Sequence, residues 1–231
     1  MSYSIEFDGR IIPITLRWNA RAKRIILRLD SKGSGCIVTL PKGVIAQAGL
    51  EMVERNQVWL ANQFNRKSEA SPFEDGSTIP FRDIPYVLRH MPDARGTVWS
   101  EGDEIFIAGH ADFLNRRLCD WLKKQAREDI TPLAHAMAEQ LGKKVKRISI
   151  RDTVSRWGSC TSSGNLSFNW RLIFAPSDIL RYVVAHEVSH LRHMDHSKDF
   201  WSTVDLFDVN AKQSRSWLKR NGNILQNYGQ A

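Results

Sequence analysis

The sequence predicts an α+β protein: a β-rich N-terminal lobe over residues 1–110, followed by a helix-rich domain over residues 111–231. Three observations lead there. Short apolar or alternating runs, separated by turn residues, crowd the first 110 positions. From Asp112 onward the apolar residues recur at three- and four-residue spacing. A helix signalled near Pro176 leads into a stretch, 186–196, that holds four of the chain's seven histidines. With 42% hydrophobic and 25% charged residues in 231, the chain has enough apolar surface for a core. That balance excludes a disordered or fibrous protein. No apolar run is long enough for a membrane-spanning helix, so no membrane partner is expected.

The elements follow in order. Tyr3–Phe7, Ile11–Leu16, Arg24–Leu29 and Cys36–Leu40 read as strands. Asp8-Gly9 between the first two is a hairpin signal, and Ser31-Lys32-Gly33-Ser34-Gly35 is a second turn. A helix is expected from about Ile45 to Arg66, its face formed by Val53, Val58, Trp59, Leu60 and Phe64. Residues 69–79 read as a loop. Further strands fall in Ile79–Leu88 and Thr97–Ala108, the latter around Glu101-Gly102-Asp103. From Asp112 to about Leu141 the pattern is helical through Phe113, Leu114, Leu118, Trp121 and Leu122, with Pro132 expected to kink or restart it. Val145–Asp152, Ser159–Thr161 and Leu166–Leu172 are strand candidates. Pro176-Ser177-Asp178 then opens a helix, with Ser or Asp available as a cap. No internal repeat is evident.

The net charge of +8 is uneven under this division. Residues 1–110 carry a net +1 and residues 111–231 a net +7. A basic C-terminal half can attract nucleic acid, nucleotides or acidic proteins. Cys36, Cys119 and Cys160 form no CxxC pair, and a sparse, odd set points to a reducing compartment. The first residues lack a basic and apolar leader pattern, so a secretory signal is not expected and the location expected is cytoplasmic.

The chemistry lies in His186-Glu187-Val188-Ser189-His190, an HExxH sequence. On a helix, residues four apart differ by about 40° in direction and about 6 Å in height, so both imidazoles project from one face toward a single ion. Zinc accepts histidine nitrogen at about 2.0–2.1 Å. Glu187 adjoins the first ligand and can serve as general base. A catalytic zinc keeps three protein ligands and an open position. On a continuous helix His193 would sit roughly 10 Å from His186, too far for one ion. His196 can complete the set if the chain turns back after about residue 193, with Ser197 or Asp199 capping the next helix.

The spacing His186, His190, His196 resembles that of metzincin-type and SprT-like zincins, with His193 where metzincins place glycine. A closer resemblance is to the YgjP-like metallopeptidase family, related to the SprT-like and WLM peptidases. It is carried by Arg156-Trp157-Gly158-Ser159-Cys160, Asn169-Trp170-Arg171-Leu172, Tyr182-Val183-Val184-x-His186-Glu187-Val188-Ser189-His190-Leu191 and His196-Ser197-x-x-Phe200-Trp201. The resemblance implies a zincin-like core with His186, His190 and His196 on Zn2+ and Glu187 catalytic.

Other residues enter as candidates for substrate binding. Arg156 could meet a substrate carboxylate or phosphate, and Trp157 could wall the cleft. Asn169 could bind substrate backbone or orient a loop. Tyr182, one turn before His186, could stabilise an oxyanion or simply pack. Cys160 reads as a small buried residue. Leu166–Leu172 is the candidate strand for binding extended substrate by backbone pairing. The leading expectation is a zinc-dependent metallopeptidase acting on peptide or protein. Two rivals stand beside it: a metal-dependent phosphoanhydride or nucleotide hydrolase on the same site, and a non-catalytic basic DNA- or protein-binding module with structural zinc.

Overall fold

The computed structural model describes residues 3–7, 10–30, 35–61 and 71–229. The chain forms two compact units, residues 1–70 and 71–231.

The first unit is a four-stranded sheet with one helix against it. Its strands are β1 (Tyr3–Phe7), β2 (Arg10–Asn19), β3 (Ile26–Leu29) and β4 (Cys36–Pro41), in the order β1-β2-β4-β3. β1 and β2 pair antiparallel with Phe7 opposite Arg10. The Asp8-Gly9 turn, and most of the 31–35 turn, lie outside the described residues. β2 and β4 run parallel with Ile14 opposite Cys36. Helix α1 (Ala46–Arg55) follows, and residues 57–61 are again helical. The rest of the helix expected to Arg66 falls outside the described residues. Ile14, Cys36, Val38, Leu40, Val53 and Leu60 make a small separate core. Gly49 lets α1 lie close on the sheet, since a Cβ there would be 3.2 Å from Leu40.

The second unit begins with another four-stranded sheet. Its strands are β5 (Thr78–Phe81), β6 (Ile84–Met91), β7 (Val98–Glu101) and β8 (Glu104–Ala108), in the order β5-β6-β8-β7. After a 3-10 turn at Ala111–Phe113, helix α2 runs from Leu114 to Gln140. Pro132 lies inside α2 and does not restart it. The stripe Leu118, Leu122, Ala126, Ile130, Ala134 and Met137 is buried along the whole helix, and this packing outweighs the hydrogen bond that proline removes.

The boundary expected near residue 110 is therefore corrected to residue 70. Strands β5–β8 share one hydrophobic core with α2 and the helices beyond it. Phe81 packs on Trp121 with ring centroids 5.1 Å apart, and Arg82 pairs with Asp129 at 2.7 Å. The charge reading changes with the boundary. Residues 1–70 carry a net +5 and residues 71–231 a net +3, because the acidic stretch 71–110 belongs to the second unit. The basic excess is not concentrated in the half that holds the HExxH sequence.

A three-stranded sheet completes the scaffold: β9 (Arg147–Arg151), β10 (Gly158–Cys160) and β11 (Asn165–Asn169), in the order β10-β11-β9. β11 pairs with β10 antiparallel and with β9 parallel. Leu166–Leu172 is thus not a substrate-binding edge. Its strand is central and its remainder is the buried 3-10 turn Trp170–Phe174. The last helices are α3 (Ser177–Ser189), α4 (Lys198–Asp205) and α5 (Ala211–Asn227). Among the described residues no helix is long and apolar enough to cross a membrane.

Candidate metal centre

Helix α3 is a mostly buried helix. Pro176 occupies its N-cap position and has no side-chain donor or acceptor to close it, while the Asp178 carboxylate accepts from the Ile179 amide at 2.9 Å. Asp178 lies in the first turn, where a negative charge favours the helix dipole. Ile179, Leu180, Val183, Val184 and Val188 are buried, which fixes the rotation of the helix and points His186, Glu187 and His190 together. The helix ends at Ser189, with His190 still in helical conformation as its C-cap. The Arg192 and His193 amides both donate to the Ser189 carbonyl as the chain leaves the helix. Ser197 then caps α4 by accepting from the Phe200 amide at 3.4 Å. This turn returns His196 to the face of α3. Among the described residues only Arg82 and Asp83 are non-glycine residues with positive φ, so the turn at His193 needs no left-handed residue.

The three imidazoles form a nearly equilateral cluster. Ring centroids are 5.0 Å apart for His186–His190, 4.9 Å for His190–His196 and 5.1 Å for His186–His196. Their ligand atoms lie within 4.8 Å of one another. Nε2 of His196 is 3.2 Å from Nε2 of His186, and two nitrogens on one tetrahedral zinc stand about 3.3 Å apart. His190 Nδ1 is 3.0 Å from the His193 carbonyl. A carbonyl only accepts, so Nδ1 carries the proton and Nε2 offers its lone pair. Burial, and then the neighbouring His190 and His196, push His186 down to about 4. Burial also lowers His190. Neutral imidazoles are the metal-binding form. Phe200 is fully buried against all three rings, at 4.9, 4.5 and 4.7 Å from His186, His190 and His196. A cluster of three histidines with ligand atoms within 4.8 Å of one another, beside one carboxylate, fits zinc.

Glu187 is 7% exposed. Burial pushes its carboxyl up to about 7, and the Arg156 guanidinium opposes that rise. Gly158 on β10 lies directly against it: a Cβ at 158 would be 2.5 Å from Glu187 Cγ. Only glycine lets the strand and the carboxylate come this close.

The other candidates separate into two groups. Trp157 and Tyr182 line a pocket beside His186 and Glu187. Arg156 is exposed on the loop before β10. Asn169, in contrast, is completely buried. Its amide nitrogen donates to the Thr153 carbonyl at 2.5 Å and its oxygen accepts from the Arg171 amide at 2.9 Å. Asn169 thereby positions the 152–157 loop and does not face a substrate. Thr153 Oγ1 donates to the Arg156 carbonyl, Gln226 donates to the Thr153 carbonyl, and Arg171 pairs with Asp152. Cys160 is half-buried, its thiol raised to about 11 by burial and by Glu187, and it is not among the residues whose ligand atoms cluster at the candidate metal centre. Sequence reasoning missed Gly158 as the seat of Glu187. It also missed Arg215, Leu218 and Gly222 on α5, although their i, i+3, i+7 spacing marks one helix face. Arg215 stacks over Trp201 at 5.4 Å, and Trp201 is 5.8 Å from His186.

This HExxH helix, with a third histidine returned by a turn, defines a metallohydrolase-type centre. The YgjP-like metallopeptidase domain matches residues 23–221, and the chain belongs to that family. The chain is also similar to the crystal structure of the metallopeptidase zymogen of Pyrococcus abyssi abylysin. That match has 20% identity and a TM-score of 0.35, and covers 39% of this chain and 93% of that one. Among curated proteins, none matches the chain.

Proposed function

We propose that this chain is a zinc-dependent peptidase. The observation that carries the reading is the convergence of the His186, His190 and His196 ring nitrogens beside the buried Glu187. Those three histidines would hold the ion. When bound, zinc supplies Lewis-acid chemistry: it acidifies water and polarises a carbonyl. Glu187 takes a proton from the attacking water on its carboxylate and returns it to the leaving amine. Gly158, with no side chain, lets β10 lie against that carboxylate.

The strand for extended substrate is β10, which replaces Leu166–Leu172 in this role. β10 is an edge of its sheet. Trp157 accepts from Asn169 and the Thr161 amide donates to Asn165, so the alternation of an antiparallel pair turns the backbone groups of Gly158 and Cys160 away from β11. Those groups can pair with a peptide laid across Glu187. Arg156 stands at the rim, where it can meet a substrate carboxylate.

The test is metal content and turnover measured together. The wild type should carry about one zinc per chain, and His196→Ala much less. Glu187→Gln should keep its zinc and lose about 10²–10⁴-fold in peptide turnover. A zinc-free wild type after loading and dialysis, or a Glu187→Gln variant with full activity, would overturn the proposal.

A further inference from the structure

Next to the histidine cluster lies a pocket of ≈ 170 Å³. His186 and Glu187 line it on the side of the cluster, and Trp157, Tyr182, Val183 and Leu218 wall it. Tyr182 and Val183 each precede one of the two site residues by four positions, so the pocket extends one turn toward the start of α3. Leu218 comes from α5. One turn further along α5, Gly222 meets the Trp157 ring, where a Cβ would be 3.2 Å away. Trp157 is thus pressed onto α5 by the absence of a side chain at 222. The loop that carries it is held by the hydrogen bonds of Asn169 and Gln226 to the Thr153 carbonyl. The four walls come from three elements fixed before any substrate arrives.

All four walls are apolar or aromatic, and Glu187, the proposed general base, shares the lining with them. A cavity of about 150 Å³ holds a benzene molecule, so this one has room for a single leucine-, methionine- or phenylalanine-sized side chain. We propose that the pocket seats the apolar side chain of the substrate residue adjoining the cleaved bond, and that Leu218 and Trp157 set its size limit. The proposal rests on the peptidase reading above.

The experiment has two arms on the zinc-loaded full chain. In the first, peptides varied at the two residues flanking the cleaved bond are digested and mapped by mass spectrometry. One flanking position should favour Leu, Met or Phe over Gly or Asp by about tenfold or more in kcat/KM. Leu218→Trp should abolish that preference while glycine-containing peptides are still cut, and Leu218→Ala should move it toward larger side chains. The second arm measures binding of leucine hydroxamate and glycine hydroxamate by calorimetry, with no turnover required. Leucine hydroxamate should bind about tenfold tighter or better, and Leu218→Trp should erase the difference. Equal affinity for the two hydroxamates, no binding of either, or a preference unmoved by both Leu218 variants overturns the pocket assignment even if peptides are cut. A hydroxamate difference without cleavage of any peptide supports the pocket and overturns the peptidase reading.

Discussion

The two four-stranded sheets have the same architecture and different fates. Each is a hairpin, then a parallel crossover, then a second hairpin, giving the orders β1-β2-β4-β3 and β5-β6-β8-β7. The registers coincide. Two residues separate the paired Phe7 and Arg10, and two separate the paired Phe81 and Ile84. Seven positions after each phenylalanine, Ile14 lies opposite Cys36 and Leu88 lies opposite Ile105, and all four are buried. What differs is the helix that follows. The first sheet is followed by the 10-residue α1 and keeps a small core of its own. The second is followed by the 27-residue α2, whose buried stripe joins the sheet to the core beneath the histidine cluster. The same sheet is a separate unit in one case and part of the unit that carries the histidine cluster in the other.

The sharpest way to break this comparison is to make one cavity in each sheet at matching positions. Leu88→Ala and Ile14→Ala each remove buried methyl groups, and such losses cost about 2–5 kcal/mol. Leu88→Ala should lower the melting temperature of the zinc-bound transition and weaken zinc retention. Ile14→Ala should lower a separate transition and leave zinc content and peptide turnover unchanged. If Ile14→Ala also reduced zinc retention, the two cores would not be energetically separate.

The same comparison explains what was legible in the sequence. His186, Glu187 and His190 lie within one helical turn or so, and their convergence is a local property of helix geometry. The return of His196 was also readable, since Asp195-His196-Ser197 carries its own turn and cap signals. The boundary at residue 70 was not. Strand-rich stretches lie on both sides of it, and the change in charge that marks it, from net +5 over residues 1–70 to net −4 over residues 71–110, is averaged away when residues 1–110 are taken as one lobe. The role of β11 was illegible for another reason. Its pairing with β9 on one side and β10 on the other is non-local, and an apolar run does not say whether its strand is central or at an edge. Asn169 looked available because asparagine is usually exposed. Only its bonds to Thr153 and Arg171 reveal that it positions a loop.

A second, smaller difference between the sheets is ionisable. Cys36 takes the position that Ile105 holds in the second sheet, and burial, with Asp30 nearby, raises its thiol from 9.0 to about 11. The unfolded thiol ionises first as pH rises, so the unfolded state then binds fewer protons than the folded one. Stability falls where that is so. The stabilising contribution is whole below pH 9 and is lost progressively toward pH 11. The first unit should therefore lose melting temperature over that range more steeply than a Cys36→Ala variant does. Equal slopes in the two proteins would remove Cys36 as the cause.

The smallest expected effect lies in the first hairpin of each sheet. A two-residue connection with positive φ at both positions is a type I′ turn, which favours Asn-Gly or Asp-Gly. The first sheet has Asp8-Gly9 at this place in its sequence. The second has Arg82 at φ 53° and Asp83 at φ 66°. Arg82 is retained by its ion pair to Asp129 and by its position over the Phe81 ring. Among the described residues no ion pair or ring contact ties the Asp83 side chain, and an L-residue in the left-handed region costs roughly 1–2 kcal/mol. Asp83→Gly gives the second turn the glycine of the first and relieves that strain, while glycine's greater freedom in the unfolded chain offsets part of the gain. The net outcome should be a stabilisation of up to about 1 kcal/mol, read as a small rise in the melting temperature of the second unit with zinc content unchanged. A fall in melting temperature would mean that the Asp83 side chain supports the turn by more than its backbone strain costs.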